Sequence, residues 1–552
     1  MKKENIKTLK WLNKQSKNVY FPVLVLTFLG IVIASVSVQF ALRSKDVLDA
    51  AQRAGMSGEL TEKIIALMVL VIFQVAVQAA YSLFSTKTSV KFSMRLKKNI
   101  FNIILKRDYS SVTKYHTGEL LNRINNDVSV IVSGVMHIIP NVVSLLTRII
   151  LSFATLFMLD NKFALVCLIA GPIILVMTRV YSKRMKSLHK KCMETDGKTR
   201  SFMLECIQNL LVIRSYRNEE AVTEKSEDYQ NDNYKYTMKR NYISILMNVI
   251  FFLGITAAYY CALAYCAYQV AAGVMTFGTL TAIVQLVGQV QVPFKDLASA
   301  IPQYFAAIAS AERLIELSEM PDYNETKNIR TAEKGDILAE FKNVTFSYDK
   351  ETIIENADFE MKKGEFIAIG GLSGIGKSTF LKLILGIIKP DSGEVNVYSK
   401  NADELLMAYV PQGNLILSGS IKENIAFYSP IDDRKIKEAA KTADIFEFIE
   451  GLPDKFDTVL GEKGLGLSEG QVQRIAIARA VYSGAPFLIL DECTSALDEE
   501  TERHVLDNLK NQKDKSCIIV SHKRAALDMC GKLLKIVDKK PIIADKETID
   551  FD

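Results

Sequence analysis

The chain has 552 residues, more than one ordinary hydrophobic core can organise, so two or more domains are expected. Hydrophobic residues make up 49% and charged residues 24%, with a mean hydropathy of +0.13; the apolar excess lies before about residue 310. The net charge of +6 comes with no compact basic and aromatic patch, which argues against nucleic acid as a partner. The eight cysteines are scattered, without C-x-x-C spacing, and support neither a disulfide framework nor a zinc site. Cys167, Cys261 and Cys266 lie in apolar runs and read as inert buried thiols.

The N-terminal 19 residues carry Lys2, Lys3, Lys7, Lys10, Lys14 and Lys17 around Trp11 and Leu12, the pattern of a helix lying at a membrane surface. A first membrane span is expected at about Tyr20 to Leu42; no small-residue cleavage site follows it, so it reads as a retained helix. Further spans are expected at about Ile64–Ser85, Ser133–Leu159 and Phe163–Tyr181, the last two separated by the turn Asp160-Asn161-Lys162. Asn241 to Phe294 contains no charged residue and is long enough for two crossings of about 20 residues each, with a break near Ala271-Ala272-Gly273. The total is six. Lys and Arg concentrate in the N-terminal arm and in the long segments Thr86–Val132 and Ser182–Arg240, which places these and both termini on the cytoplasmic side.

Both long segments keep apolar residues at helical spacing while becoming charged, so each is expected to extend its spans as a helical hairpin rather than form a solvated loop. Thr117–Asp127 reads as the tip region of the first hairpin, and Leu204 to Tyr216, ending in Arg214-Ser215-Tyr216-Arg217, as the stretch after the second tip. Pro140, Pro172 and Pro293 fall inside predicted spans. Arg148, near the middle of the third span, is either a cation facing cargo or a partner of neighbouring helices; Gln285, Gln289 and Gln291 either line a polar path or bond between helices.

After Ile315 the composition shifts. Residues 318–336 read as a linker, and 337–552 alternate short β-branched runs with helical patterns, implying an α/β core with parallel strands. The apolar run Phe366 to Ile369 is followed by Gly371-Leu372-Ser373-Gly374-Ile375-Gly376-Lys377-Ser378-Thr379 and then by a helical pattern from Phe380. This strand–loop–helix fits G-x-x-x-x-G-K-[ST], a phosphate-binding loop. Gly371, Gly374 and Gly376 would let backbone N–H groups, with those of Ser373 and Thr379, approach phosphates; Lys377 would reach the terminal phosphates and Ser378 would ligate Mg²⁺.

Other features align with that loop. Tyr348 is either an adenine-stacking ring or a plain strand aromatic. Gln412, after Val410-Pro411, would sit at a strand end and sense Mg²⁺ or water. Phe487–Leu490 followed by Asp491-Glu492 is a buried strand ending in two acids, Asp491 suited to Mg²⁺ and Glu492 to polarising water. Leu467-Ser468-Glu469-Gly470-Gln471 opens a helical run from Val472, a second anion-binding helix start through Ser468, Gly470 and Gln471. Cys517–Val520 reads as another buried strand, ending in Ser521-His522, with His522 placed for a γ-phosphate.

With these residues in place the chain resembles an ATP-binding cassette (ABC) transporter of the exporter type (type IV fold). It looks like a half-transporter: a six-helix transmembrane domain (1–317), a linker (318–336) and an α/β P-loop ATPase domain (337–552). The motifs stand in the family's order: Walker A at Gly371–Thr379, Q-loop Gln412, signature Leu467–Gln471, Walker B Phe487–Asp491, the catalytic-type Glu492, D-loop Ser495–Asp498 and H-loop His522. Gly461–Gly464 resembles the exporter X-loop and Thr117–Asp127 a pattern of the first intracellular loop. The resemblance implies ATP and Mg²⁺ as cofactors, a bacterial plasma membrane with its lipid as surroundings, and a second half-transporter subunit, a homodimer or a heterodimer. It also implies alternating-access export of a small-molecule, lipid or peptide substrate that is hydrophobic or amphipathic. An importer built on the same fold, a non-transporting ATPase and an ATP-gated channel are the competing readings. With the first span starting near residue 20, no leader-peptidase extension is expected. Two positions depart from the family pattern: Glu469 replaces a glycine, and Cys493 follows Glu492 where a small apolar residue is usual.

Overall fold

The computed structural model describes residues 2–54, 58–323, 329–330, 335–348, 351–372, 374–399, 405–413, 416–461, 466–512 and 515–545. It divides into two compact units: Met1–Leu105 with His116–Glu319, and Lys106–Tyr115 with Met320–Asp552.

The first unit is helical. α1 (Lys2–Ser16) leads into α2 (Tyr20–Ala54), then α3 (Gly58–Leu105). Beyond the short α4 (Tyr109–Val112), which groups with the second unit, the chain returns as α5 (Thr117–Asn122), α6 (Val128–Ser133) and α7 (Ile139–Leu159). These three run on as one helix across two π-helical turns, Arg123–Asp127 and Gly134–Ile138. Pro140 cannot donate to the preceding turn, and the wider π turn lies directly before it. α8 (Asn161–Gln208), α9 (Leu210–Ser215), α10 (Glu219–Ala271) and α11 (Phe277–Glu319) complete the unit. All six expected spans are therefore helical. Ile6–Arg53, Gly58–Leu105, Thr117–Leu159 and Glu219–Ala271 are long and apolar enough to cross a membrane by themselves, and α11 adds the shorter apolar stretch Phe277–Val290. The side chains of residues 165–180 and 291–302, including Cys167, Pro172, Gln291 and Pro293, lie outside the described residues.

The hairpin tips differ from expectation. Thr117–Asp127 is not the first tip but the start of the returning arm. Leu204–Tyr216 is itself the second tip, because α8 ends at Gln208 and α10 starts at Glu219. Apolar spacing runs on through the second place, where the chain leaves the helix at Asn209, with φ of −106° and ψ of 24°, and again at 216–218, with Arg217 left-handed at a φ of 53°. Cys261 is exposed on α10 rather than buried, whereas Cys266 is buried.

Where the apolar packing gives out, ion pairs take over. Asp127 is fully buried and accepts from Arg313 Nε at 2.8 Å and from Ser310 Oγ at 3.0 Å, both on α11. One turn earlier, Arg123 donates to Glu316 Oε2 at 2.9 Å, to Glu119 Oε1 at 2.8 Å and to the Arg313 carbonyl at 2.6 Å. Burial opposes the charge on Arg123, yet Glu119 and Glu316 outweigh it and hold its pKa above the ordinary value. The same two helices approach closely at Gly134, where an added Cβ would lie 2.7 Å from Ala307 Cβ.

The second unit is α/β. β2 (Ile337–Tyr348), β3 (Glu351–Lys362) and β5 (Ser392–Tyr398) form an antiparallel sheet, and β1 (Ile329–Arg330), inside the stretch read as a linker, pairs parallel with β5. The second sheet has the order β12 (Lys540–Asp545), β11 (Lys532–Val537), β4 (Phe366–Gly370), β10 (Ser516–Val520), β9 (Phe487–Asp491), β6 (Met407–Val410); all pairs are parallel except β11–β12. One face, with Ile367, Ile369, Phe487, Ile489, Ile518 and Val520, packs with α12 (Lys377–Ile384) and the antiparallel sheet. The other, with Ala368, Leu488, Leu490 and Ile519, packs on a helical layer. That layer includes α13 (Ile421–Ala426), which follows β7 (Gly419–Ser420), then α14 (Asp433–Thr442), α15 (Phe446–Glu450) and, beyond β8 (Val459–Leu460), α16 (Glu469–Tyr482), α17 (Glu499–Lys510) and α18 (Arg524–Met529). Strands buried on both faces explain why their sequences are unbroken apolar runs.

Gly134→Leu should force α6 and α11 apart, at a cost of about 1–3 kcal/mol. The expected outcome is a thermal-unfolding midpoint in detergent several degrees below wild type, with Gly134→Ala in between. An unchanged midpoint for the Leu variant would contradict the described approach.

Candidate functional site

The site is built where the parallel strands end together. Register pairs Val520 of β10 with Ile369 of β4 on one side and with Asp491 of β9 on the other, and Val410 of β6 with Leu490. The residues just beyond those ends therefore meet: the loop Gly371–Gly376, Glu492, His522 and Gln412.

The glycine loop takes backbone conformations that suit glycine, with φ of 128° at Gly371 and 111° at Gly376. A Cβ at Gly376 would also sit 2.9 Å from Ile353 Cγ2 of β3. α12 starts at Lys377, three residues before the expected Phe380, so Lys377, Ser378 and Thr379 form its first turn, where N–H groups have no acceptor inside the helix. Ser373 lies outside the described residues. Lys377 is buried; its ammonium donates to the Gly371 carbonyl and lies 3.0 Å from His522 Nε2.

Asp491 ends a strand whose five residues are all buried, and it is 5% exposed. Burial raises its pKa, and the neighbouring Glu492 charge adds to that, while a hydrogen bond from Tyr409 and the nearby Lys377 and Lys382 oppose it. Glu492 turns away from the strand with a left-handed φ of 49°, a strained conformation for this residue, and its N–H is tied to Val520 O at 3.0 Å. Its carboxylate accepts from Gln412 Nε2 at 2.6 Å, and Oε1 lies 3.9 Å from His522 Nε2. Gln412, expected to sense metal or water, is thus placed directly on the second acid. Lys377, His522, Glu492 and Gln412 make one cluster able to hold phosphate, position a water and accept its proton.

Tyr348 sits at the end of β2, 45% exposed, with its ring edge-on to Phe346 at 4.9 Å. It pairs in register with Glu351 of β3, the strand whose Ile353 abuts Gly376. An exposed ring there is free to stack on a base.

The signature residues are not in this cluster. Ser468 caps α16, which begins at Glu469 rather than Val472. Its Oγ accepts from Gln471 N–H at 3.3 Å, and Gln471 Oε1 accepts from Ser468 N–H at 2.9 Å, a reciprocal capping box. Gly470 packs against the next loop, a Cβ there meeting Ala496 O at 3.0 Å and Leu497 Cδ2 at 3.2 Å. The described contacts of these residues are with each other and with Val472, Ala496 and Leu497, not with Lys377, Glu492 or His522. Of the X-loop candidates, Glu462, Lys463 and Gly464 lie outside the described residues. Cys493 is buried, and burial pushes its thiol well above the ordinary value, so it behaves as the small apolar residue it replaces.

Several residues were missed from sequence. Tyr409 donates to Asp491 Oδ2 at 3.0 Å. Gln473 braces the loop after Glu492, donating to Ser495 Oγ at 2.9 Å and accepting from Ala496 N–H at 3.1 Å. Glu502, fully buried on α17, accepts from Thr494 Oγ1 at 2.7 Å and lies 3.7 Å from Lys523 Nζ, which also donates to Thr494 O at 3.0 Å. Of these, only the position of Lys523 beside His522 carried any signal in the sequence.

Residues 23–294 match the family described as the ABC transporter transmembrane region, and residues 354–495 the family described as ABC transporter. The ATP-dependent lipid A-core flippase of Haemophilus influenzae (strain KW20) is 30% identical over 465 residues, 81% of this chain and 78% of that protein. YgaD of Bacillus subtilis, named provisionally as a multidrug export ATP-binding/permease protein, is 28% identical over 552 residues, 95% of this chain and 93% of its own. The structure of a bacterial Atm1-family ABC exporter with ATP bound superposes with a TM-score of 0.80 at 22% identity, covering 95% of each chain, a likeness of fold.

Gly376→Ala puts a side chain into left-handed backbone and against Ile353 at once. Binding of a fluorescent ATP analogue should weaken about 5- to 150-fold, given a strain cost of about 1–3 kcal/mol. Retained affinity would show that the loop can reshape around the methyl group.

Proposed function

Because the chain belongs to the ABC transporters, as an exporter-type half-transporter embedded in a membrane and driving transport by ATP hydrolysis, we propose that it exports an amphipathic molecule, a lipid, drug or hydrophobic peptide, as a dimer with two ATP sites. Support for that class of cargo comes from relatives named for lipid A-core and for multidrug export. The observation that carries the dimer is the separation just described: within one copy, Ser468, Gly470 and Gln471 have no described contact with the cluster at Lys377. A second copy facing the first would bring its α16 N-terminus to the γ-phosphate held by this glycine loop. A self-complementary pair of such sites makes a homodimer the favoured assembly, with a separately encoded partner as the other outcome.

In this reading Lys377 and the first-turn N–H groups of α12 bind the phosphates and Tyr348 stacks on adenine. Glu492 accepts the proton of the attacking water, Gln412 orients Glu492, and His522 holds the γ-phosphate. Mg²⁺, when bound, neutralises developing charge on the phosphates. The residues fit it: Asp491 offers a buried carboxylate whose one described hydrogen bond occupies Oδ2, and Ser378 is an exposed hydroxyl on the first turn of α12. In the same reading both termini lie on the ATP side of a bacterial plasma membrane, an orientation that the Lys- and Arg-rich hairpins support. Arg148, half-buried on α7, gives a lean toward anionic or zwitterionic cargo. On α11, Gln289 Nε2 donates to Ser37 O of α2 at 2.8 Å, the bond between helices that was the other reading of these glutamines, while the amide oxygen of Gln285 is buried without a hydrogen-bond partner among the described residues.

The test is ATPase activity of the purified chain alone in lipid nanodiscs beside Glu492→Gln. Turnover that falls at least about 100-fold in the variant, with ATP binding kept, is expected for two self-sufficient sites. No turnover from the wild type with ATP bound would point to a missing partner subunit. In inside-out vesicles, ATP added outside should drive accumulation of cargo; depletion instead would overturn export. Arg148→Ala should slow anionic cargo selectively, and unchanged transport of every cargo would remove that lean.

A further inference from the structure

β6 serves both acids at the end of β9. Its register with β9 sets Tyr409 opposite Ile489, and side chains two residues apart on a strand share a face, so Tyr409 lies on the face of Asp491. A phenol is long enough to span that diagonal step, and its Oη reaches Asp491 Oδ2 at 3.0 Å. Three residues on, the same segment delivers Gln412 to Glu492 at 2.6 Å. Two consecutive carboxylates thus take one hydrogen bond each from one short edge strand and the loop that follows it.

The Tyr409 bond is not incidental packing. Asp491 is almost wholly buried, and among the described residues it receives this one hydrogen bond. A buried carboxylate left with free torsion would sample several orientations; a donor fixed by a strand selects one. Met407 and Tyr409 pack against the core that holds Phe487 and Ile489, so the phenol ring is itself held.

We propose that Tyr409 is a positioning residue for metal binding, holding Asp491 by Oδ2 so that Oδ1 is presented to the divalent cation of the nucleotide. The proposal rests on the reading of Asp491 as the residue that holds Mg²⁺. It follows that Tyr409 and Gln412 divide the work of β6: the first sets the acid for metal, the second the acid for water.

The experiment uses the full-length chain in nanodiscs, with Glu492→Gln in every protein to prevent turnover and Mn²⁺ as the probe. The dissociation constant of a fluorescent ATP analogue is measured with Mn²⁺ and again in EDTA; the ratio is the gain in affinity due to metal. Tyr409→Phe should reduce that gain about tenfold while leaving the EDTA value within about twofold of its parent, and should alter the electron paramagnetic resonance line shape of bound Mn²⁺. Asp491→Asn should remove most of the gain, and adding Tyr409→Phe to it should change nothing further. If Tyr409→Phe keeps the gain while Asp491→Asn loses it, the role of Tyr409 is wrong. If Asp491→Asn keeps it as well, the assignment of Asp491 fails instead. Equal weakening with and without metal in Tyr409→Phe would also overturn the proposal, by showing a general disturbance of the fold.

Discussion

A single buried strand fixes this ATPase unit. β9 has no exposed residue, with Phe487 and Ile489 committed to one core and Leu488 and Leu490 to the other, and it has parallel partners on both sides. A charge at its end can be tolerated only because donors wait there. Shifting β9 by one residue would exchange its two faces and pull the acids out of line with β4, β10 and β6. The convergence of glycine loop, imidazole, amide and carboxylates is therefore a matter of strand register, and the apolar packing enforces it.

Around that anchor the polar groups are braced from behind. Lys523 bridges the segment after His522 to the carbonyls of Thr494 and Leu497, and Glu502 receives the Thr494 hydroxyl beneath it. Breaking one member of such a buried set leaves the others unsatisfied, so the set behaves as a unit. The helical unit uses the same device at a different place: Asp127 and Arg123 join the returning arm of the first hairpin to α11 with charges, where the apolar spans end.

Much of this was legible in the sequence, for a physical reason. Motifs such as Gly371–Thr379 and Phe487–Glu492 are contiguous because one strand and the turn after it perform one task, and six apolar runs declare six helices. What was not legible depends on neighbours distant in sequence. Tyr409 looks like any strand aromatic until register brings Asp491 beside it. Glu502 looks like a solvated helix residue until the loop after Glu492 covers it. Helix starts at Lys377 and Glu469 came earlier than hydrophobic periodicity suggested, because the first turn is set by capping and by the glycine loop rather than by apolar spacing. The second hairpin tip was misplaced because Leu204, Ile207 and Leu210 continue the helical rhythm across the break at Asn209, and the chain turns back only at 216–218.

The segment Lys106–Tyr115 is covalently part of the helical half yet groups with the ATPase unit. Its Asp108 N–H bonds Pro321 O at 2.9 Å, Tyr323 N–H bonds Lys106 O at 2.9 Å, and Arg107 pairs with Asp322. The border between the two halves is consequently not a point on the chain. A fragment cut at Met320 would carry the whole nucleotide-binding sheet but leave Lys106, Arg107 and Asp108 behind, baring the Tyr323 N–H, the Pro321 carbonyl and the Asp322 carboxylate that the intact chain covers. Moved to another chain, the ATPase unit would arrive incomplete unless this ten-residue segment travelled with it.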